Sequence, residues 1–95
     1  MSSPPLTDIS SIFGEVLRRY RTQRNISQQE VAYLASVDRS FISRLERGIR
    51  QPTFTTLIGI GIALEVPTAH MVREVEAEYL KQIRVESRIL QREVV

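Results

Sequence analysis

Apolar residues in this chain recur at steps of three and four, in runs that stop after a few turns. Ile9, Ile12, Phe13, Val16, Leu17 and Tyr20 form the first such run. Steps of three and four are the period of a helix with one buried face. A helix of that length is marginal alone, so several must bundle to bury their apolar stripes. The pattern limits the fold to an all-α packing of short helices. The chain has 95 residues, enough for one modest core.

Capping and breaking residues divide the chain. Residues 1–8 are rich in Ser, Pro and Thr and read as a flexible arm, with Thr7 or Asp8 free to cap the first helix. That helix is expected over about 9–24, until Asn25-Ile26 interrupts the period. Ser27-Gln28-Gln29-Glu30 has the spacing of a capping box and opens a second helix over 27–35. Ser36-Val37 is a tight connection. Asp38 is expected to cap a third helix over 39–47, which Gly48 ends in a left-handed conformation. Thr53 caps a fourth over 54–65 and Pro67 stops it. There Ile58, Ile60 and Ile62 alternate with Gly59 and Gly61 as in a strand, yet Leu57, Ile60, Gly61 and Leu64 fit a helix, and the cap agrees. Thr68 begins a last helix, from 68 onward, with no Gly or Pro after it.

Composition removes several function classes. At 42% hydrophobic and 25% charged, usage is that of an ordinary globular domain. Cysteine is absent and His70 is the only histidine. A disulfide scaffold and a Cys-ligated metal site are excluded, and His70 has no triad-like company. With no cluster of acid, base, nucleophile or metal ligands, we expect no enzyme, no metal and no cofactor. Met1 to Pro5 lacks the basic and apolar regions of a signal peptide. The longest apolar stretch, Leu57 to Leu64, is far short of the roughly 20 residues of a membrane span. A cytoplasmic protein without a membrane partner is expected.

Charge is concentrated rather than abundant. Of 13 basic residues only Lys81 is a lysine, and the formal net charge is +2. Residues 18–50 hold eight arginines against Glu30, Asp38 and Glu46, a local balance of +5. The segment before carries −2, residues 51–66 carry −1, and residues 67–95 balance to zero. Arginine presents a planar fork of donors that suits bidentate recognition of phosphates and base edges. The patch covers the first three helices.

Within that patch, the helices over 27–35 and 39–47 meet across a three- or four-residue turn. Ala32 supplies the small residue their crossing needs, and Val37, Ile42 and Leu45 fill the corner. This is helix-turn-helix geometry, in which the second helix can enter the major groove. The segments Leu17-Arg18-Arg19-Tyr20-Arg21, Ser27-Gln28-Gln29-Glu30-Val31-Ala32, Phe41-Ile42-Ser43-Arg44-Leu45-Glu46-Arg47-Gly48, Pro52-Thr53 and Ala63-Leu64-Glu65-Val66-Pro67 carry a family likeness. From Phe13 to about Met71 the chain resembles the Cro/cI-type (XRE-type) helix-turn-helix regulators. The resemblance implies a compact five-helix, lambda-repressor-like DNA-binding domain over 9–72, with an extended C-terminal helix over 73–95. It also implies an ion pair between Arg21 and Glu46. One departure stands out: the family usually has Gly at the turn, where this chain has Ser36. Either Ser36 takes a left-handed backbone at a cost of about 1–2 kcal/mol, or the turn is shifted.

The faces of these helices suggest roles for individual residues. Arg39, Ser40, Ser43 and Arg44 lie away from Phe41, Ile42 and Leu45 and are candidates for base contacts. Gln28 sits in the first turn of its helix, beside amides that favour a phosphate. Arg47, Arg50 and Thr53 flank the start of the fourth helix and are further phosphate candidates. Tyr33 reads as a surface packing residue. In the tail, Leu80, Ile83, Leu90 and Val94 repeat by helical steps and are candidates for pairing two copies, alongside residues near Val66 to Val75. The expected function is a sequence-specific transcriptional regulator, binding an inverted-repeat operator in double-stranded DNA as a homodimer. Two alternatives remain open. One is a restriction–modification controller of the same fold. The other is an antitoxin-like module whose C-terminal helix binds a protein partner.

Overall fold

The computed structural model describes the backbone of residues 7–94 and the side chains of residues 9–84. Five helices succeed one another: α1 Thr7–Gln23, α2 Gln28–Ala35, α3 Arg39–Glu46, α4 Phe54–Leu64 and α5 Thr68–Val94. No strand occurs among the described residues. The Ile-Gly alternation of α4 is helical: Ile60 and Gly61 turn inward, while Ile58 and Ile62 stay exposed. Among the described residues no single helix is long and apolar enough to cross a membrane.

Local chemistry sets most helix ends. Ser27 Oγ accepts from the Glu30 amide at 3.0 Å. Only that half of the capping box forms, for Glu30 makes no return bond. Thr53 Oγ1 caps α4 by accepting from the Thr56 amide at 3.1 Å. Asp38 holds the N-cap position of α3, but its carboxylate makes no capping bond. The Phe41 amide, which that carboxylate would have taken, bonds the Asp38 carbonyl instead at 3.0 Å. The carboxylate is left in solvent. Ser36 is left-handed, with φ 60° and ψ 42°, and its amide faces the carbonyls of Ala32 and Tyr33. The turn has not shifted: Ser36 bears the strained conformation in place of glycine, as Asn25 and Glu65 do at the ends of α1 and α4. Gly48, at φ 75°, closes α3 without that strain.

The core draws on every helix. Leu17 of α1, Val31 of α2, Ile42 and Leu45 of α3, Ile60 and Leu64 of α4 and Met71 of α5 are fully buried. Each such side chain contributes about 1.5–3 kcal/mol relative to exposure. α1 crosses the end of α3 so closely that a side chain is forbidden there. A Cβ on Gly14 would lie 2.5 Å from the Leu45 carbonyl oxygen and 2.6 Å from that of Glu46. A Cβ on Gly61 would lie 2.4 Å from Thr68 Oγ1 and 3.0 Å from the Val66 carbonyl oxygen, and one on Gly59 would press on Ala35 of α2 at 3.1 Å.

α5 is fastened to α1 by polar chemistry. Glu74 accepts from both the Arg19 guanidinium and the Tyr20 hydroxyl. The guanidinium carbons of Arg19 and Arg24 lie 5.5 and 5.2 Å from the centre of the Tyr20 ring, within cation–π range. The hydrogen bond to Glu74, aided by burial, holds the Tyr20 proton above the ordinary phenol range.

Both contacts can be tested by substitution. Gly14→Ala forces α1 away from backbone that cannot yield, and should lower the urea midpoint by an amount worth about 1–3 kcal/mol. An unchanged midpoint would refute the close crossing. The raised Tyr20 pKa means the unfolded chain loses this proton first. The stabilisation is therefore full below pH 10.0, the unperturbed value, and lost as pH rises through the folded-state pKa. Tyr20→Phe should flatten that alkaline decline in melting temperature relative to the unsubstituted chain.

Candidate nucleic-acid interface

α3 is a regular helix of eight residues, and a helix with its side chains is about 10–12 Å across, which matches the width of a B-DNA major groove. Ile42 and Leu45 anchor its inner side and Phe41 is half-buried. Its outer side presents Arg39, Ser40 and Arg44, with Ser43 half-buried between them. Arg47 and Arg50 continue the cationic surface into the loop and are exposed. Among the described residues, the Arg44 and Arg50 guanidinium groups donate to no protein acceptor. Arg47 Nε makes one long bond, 3.4 Å, to the Ser43 carbonyl of its own turn.

A hydrogen-bonded chain fixes both ends of α3. The Glu46 carboxylate, only 4% exposed, ends the helix. It accepts from Arg21 Nε at 2.5 Å, Arg21 Nη2 at 3.1 Å and Gln28 Nε2 at 3.0 Å. Arg21 Nη1 also donates to the Ile26 carbonyl at 3.0 Å, which holds the loop before α2. A carboxylate at a helix C-terminus opposes the helix dipole, so this one needs its cation. The chain continues at the other end of α3. Arg39 Nη1 donates to Gln28 Oε1 at 3.2 Å. One amide at the start of α2 thus ties the first residue of α3 to its last.

The network engages several of the candidate residues. Gln28, expected beside a phosphate, accepts from Arg39 through its side-chain oxygen and donates one of its two amide hydrogens to Glu46. Sequence reasoning misses this because the bonds span 11 and 18 residues. The Thr53 hydroxyl is likewise engaged, accepting from the Thr56 amide and donating to Thr56 Oγ1 at 3.1 Å. The arginine patch divides, with Arg18 exposed on α1 and without a protein acceptor among the described residues. Arg19, Arg21 and Arg24 face protein partners. Arg39, Arg44, Arg47 and Arg50 form the solvent-facing group on α3 and the loop after it. Tyr33 is 81% exposed on α2. Of the tail candidates, Leu80 is exposed and Ile83 half-buried, while Leu90 and Val94 lie outside the residues whose side chains are described.

Two short helices crossing at a left-handed turn, the second braced at both ends and cationic outside, define a helix-turn-helix DNA-binding protein. Residues 17–70 match the family model described as Helix-turn-helix, and the chain belongs to that family of DNA-binding transcriptional regulators. It is 39% identical over 57 residues to the control protein C.SmaI of Serratia marcescens, covering 60% of this chain and 68% of that one. The structure resembles the clp gene regulator ClgR of Corynebacterium glutamicum, with TM-score 0.74 and 26% identity over 93% of this chain and 94% of that one. It also resembles the restriction–modification controller protein C.Esp1396I, solved as a tetramer with its natural 35-base-pair operator. There the TM-score is 0.66 and identity 29%, over 76% of this chain and 95% of that one.

Removing one member of the brace should expose its cost. Glu46→Ala strips Arg21 of its partner in a mostly buried setting and should destabilise the fold by about 3 kcal/mol. Gln28→Ala should cost less, about 1 kcal/mol. Thermal melts of the two single variants and the double variant measure the coupling, and strict additivity would disprove a shared network.

Proposed function

We propose that this protein regulates transcription by binding an inverted-repeat operator as a homodimer, with α3 of each copy in the major groove. The supporting observation is the outer face of α3, where Arg39 and Arg44 project from a helix braced at both ends. Arg39 and Arg44 each bond O6 and N7 of a guanine, while Ser40 and Ser43 make permissive contacts to base edges. Arg47 and Arg50 neutralise phosphates, and the amides at the α4 N-terminus beside Thr53 add a further phosphate contact. Gln28 works indirectly, by aiming Arg39. Helix-turn-helix dimers read half-sites roughly 34–36 Å apart, one helical turn of DNA, which sets the centre-to-centre spacing of the repeat. Leu80 and Ile83 offer apolar contacts to a second copy along the tail. The protein acts by binding rather than by catalysis, in the compartment that holds its DNA.

A restriction–modification controller is the second reading, favoured by the 39% identity to C.SmaI. It uses the same site and differs in the genes adjoining the operator.

Selection of DNA from a random pool by the purified protein tests the proposal. An enriched inverted repeat is expected, and a pool without any enriched sequence would overturn it. Arg44→Ala should relax discrimination at one base pair of each half-site by about 1–3 kcal/mol. Arg50→Ala should weaken all sequences alike and reduce the salt slope by about 1.

A further inference from the structure

One carboxylate beside the α3 residues proposed to read bases has no partner of its own. Asp38 holds the N-cap position of α3, yet its side chain makes no capping bond, and among the described residues it accepts from no other donor. It is exposed. An acid this close to DNA is repelled by the phosphates, since like charges repel, and so calls for a compensating contact.

Asp38 lines an open crevice of about 350 Å³ between the turn before α3, α3 itself and the first turn of α4. Val37, Ser40, Phe41, Arg44 and Thr56 complete its lining. The walls differ in chemistry. Ser40 and Arg44, one helical turn apart, are exposed and belong to the base-reading candidates. Val37 and Phe41 are half-buried and packed against the core, so they form an apolar wall. Thr56 is buried, and its hydroxyl accepts from Thr53 Oγ1 at 3.1 Å. This mixture selects one base edge in the major groove. A carboxylate accepts from the N4 amino group of cytosine, whereas thymine presents its O4 acceptor at that place. The C5 position of a pyrimidine adjoins the same edge, and a methyl group there makes apolar contact with side chains such as Phe. Adenine also has an amino group, but beside it stands the N7 acceptor, which an apolar wall leaves unpaired. A carboxylate next to an apolar wall therefore fits the C4–C5 edge of cytosine, and fits it better with a methyl group on C5.

We infer that this crevice takes a cytosine of the operator, with its N4 amino group donating to Asp38 and its C5 facing Val37 and Phe41, and that it holds 5-methylcytosine more tightly than cytosine. This rests on the DNA-reading role of α3 proposed above and adds a base-specific subsite to it. Arg44, on the rim, then meets a neighbouring guanine. Occupancy of the operator rises when that cytosine is methylated at C5.

Fluorescence anisotropy titrations of the full chain against duplexes of the enriched repeat test the subsite. Each cytosine of one half-site, on either strand, is replaced in turn by 5-methylcytosine and by thymine paired with adenine. At one position 5-methylcytosine should tighten binding about fourfold, the worth of one buried methyl group. Thymine at that position should weaken binding roughly tenfold or more, although it carries the methyl group. Asp38→Asn keeps a residue suited to the N-cap and gains a donor for O4, so helix content and melting temperature should hold while thymine binds as well as cytosine. Val37→Ala should remove most of the gain from methylation and leave the preference for cytosine over thymine. An enriched repeat without cytosine, one in which no cytosine responds to methylation, or one whose responding position accepts thymine equally would overturn the inference and leave the operator reading standing. A thymine penalty that survives Asp38→Asn, or a methylation gain that survives Val37→Ala, would overturn the roles given to these residues. A pool without any enriched repeat would remove the operator reading and this subsite with it.

Discussion

One nearly buried carboxylate holds the DNA-facing part of this molecule in place. Glu46 ends α3, where the helix dipole disfavours negative charge, and it is kept there by three donors from two other helices. Such a charge group adds less net stability than its distances suggest, because desolvation offsets much of the attraction. Its value is geometric. The planar fork of Arg21 meets a planar carboxylate in one orientation, and Gln28 extends that orientation to Arg39. α3 touches the core through only two fully buried side chains, Ile42 and Leu45. Two apolar contacts allow a short helix to rock, and the polar brace removes that freedom.

The distribution of arginine makes sense beside this brace. The bulk charge of +2 conceals a patch, and the patch itself conceals two populations. Arg19 bonds Glu74 of α5 and Arg21 serves Glu46 of α3, so α1 uses these cations to join helices, while Arg24, just past α1, lies over the Tyr20 ring. Arg18 is exposed on α1, and the other four, on α3 and its loop, face solvent. Lysine would serve poorly in the first group, since a point charge cannot bridge two oxygens in one plane.

Helix number, type and approximate limits are legible in the sequence, because periodicity and Ser or Thr caps are local signals. So is the outward face of α3. The Arg21–Glu46 pairing comes only through family resemblance, since 25 residues separate the partners. Gln28 reads from sequence as a phosphate candidate at a helix start, and its two protein partners depend on the α2–α3 crossing, which no local pattern encodes. Gly14 gives no signal inside a regular helical period, although its missing side chain sets how near α1 comes to α3. Ser36 is ambiguous in sequence for a physical reason. A strained turn and a shifted turn differ by about 1–2 kcal/mol, less than tertiary packing can supply. The tail candidates are the least resolved, for an amphipathic stripe does not say which partner it meets.

The bond from Arg39 to Gln28 also differentiates the two guanidinium groups proposed to read bases. Arg39 is held by a neighbour before any ligand arrives, whereas the Arg44 guanidinium donates to no acceptor among the described residues. Immobilising a long side chain costs about 0.5–1.5 kcal/mol on association, and Arg39 has already lost part of that freedom on folding. A stiff fork tolerates little displacement of the edge it meets, while a mobile one can follow a base that moves or changes. The base pair under Arg39 should therefore vary little among natural sites, and the one under Arg44 more.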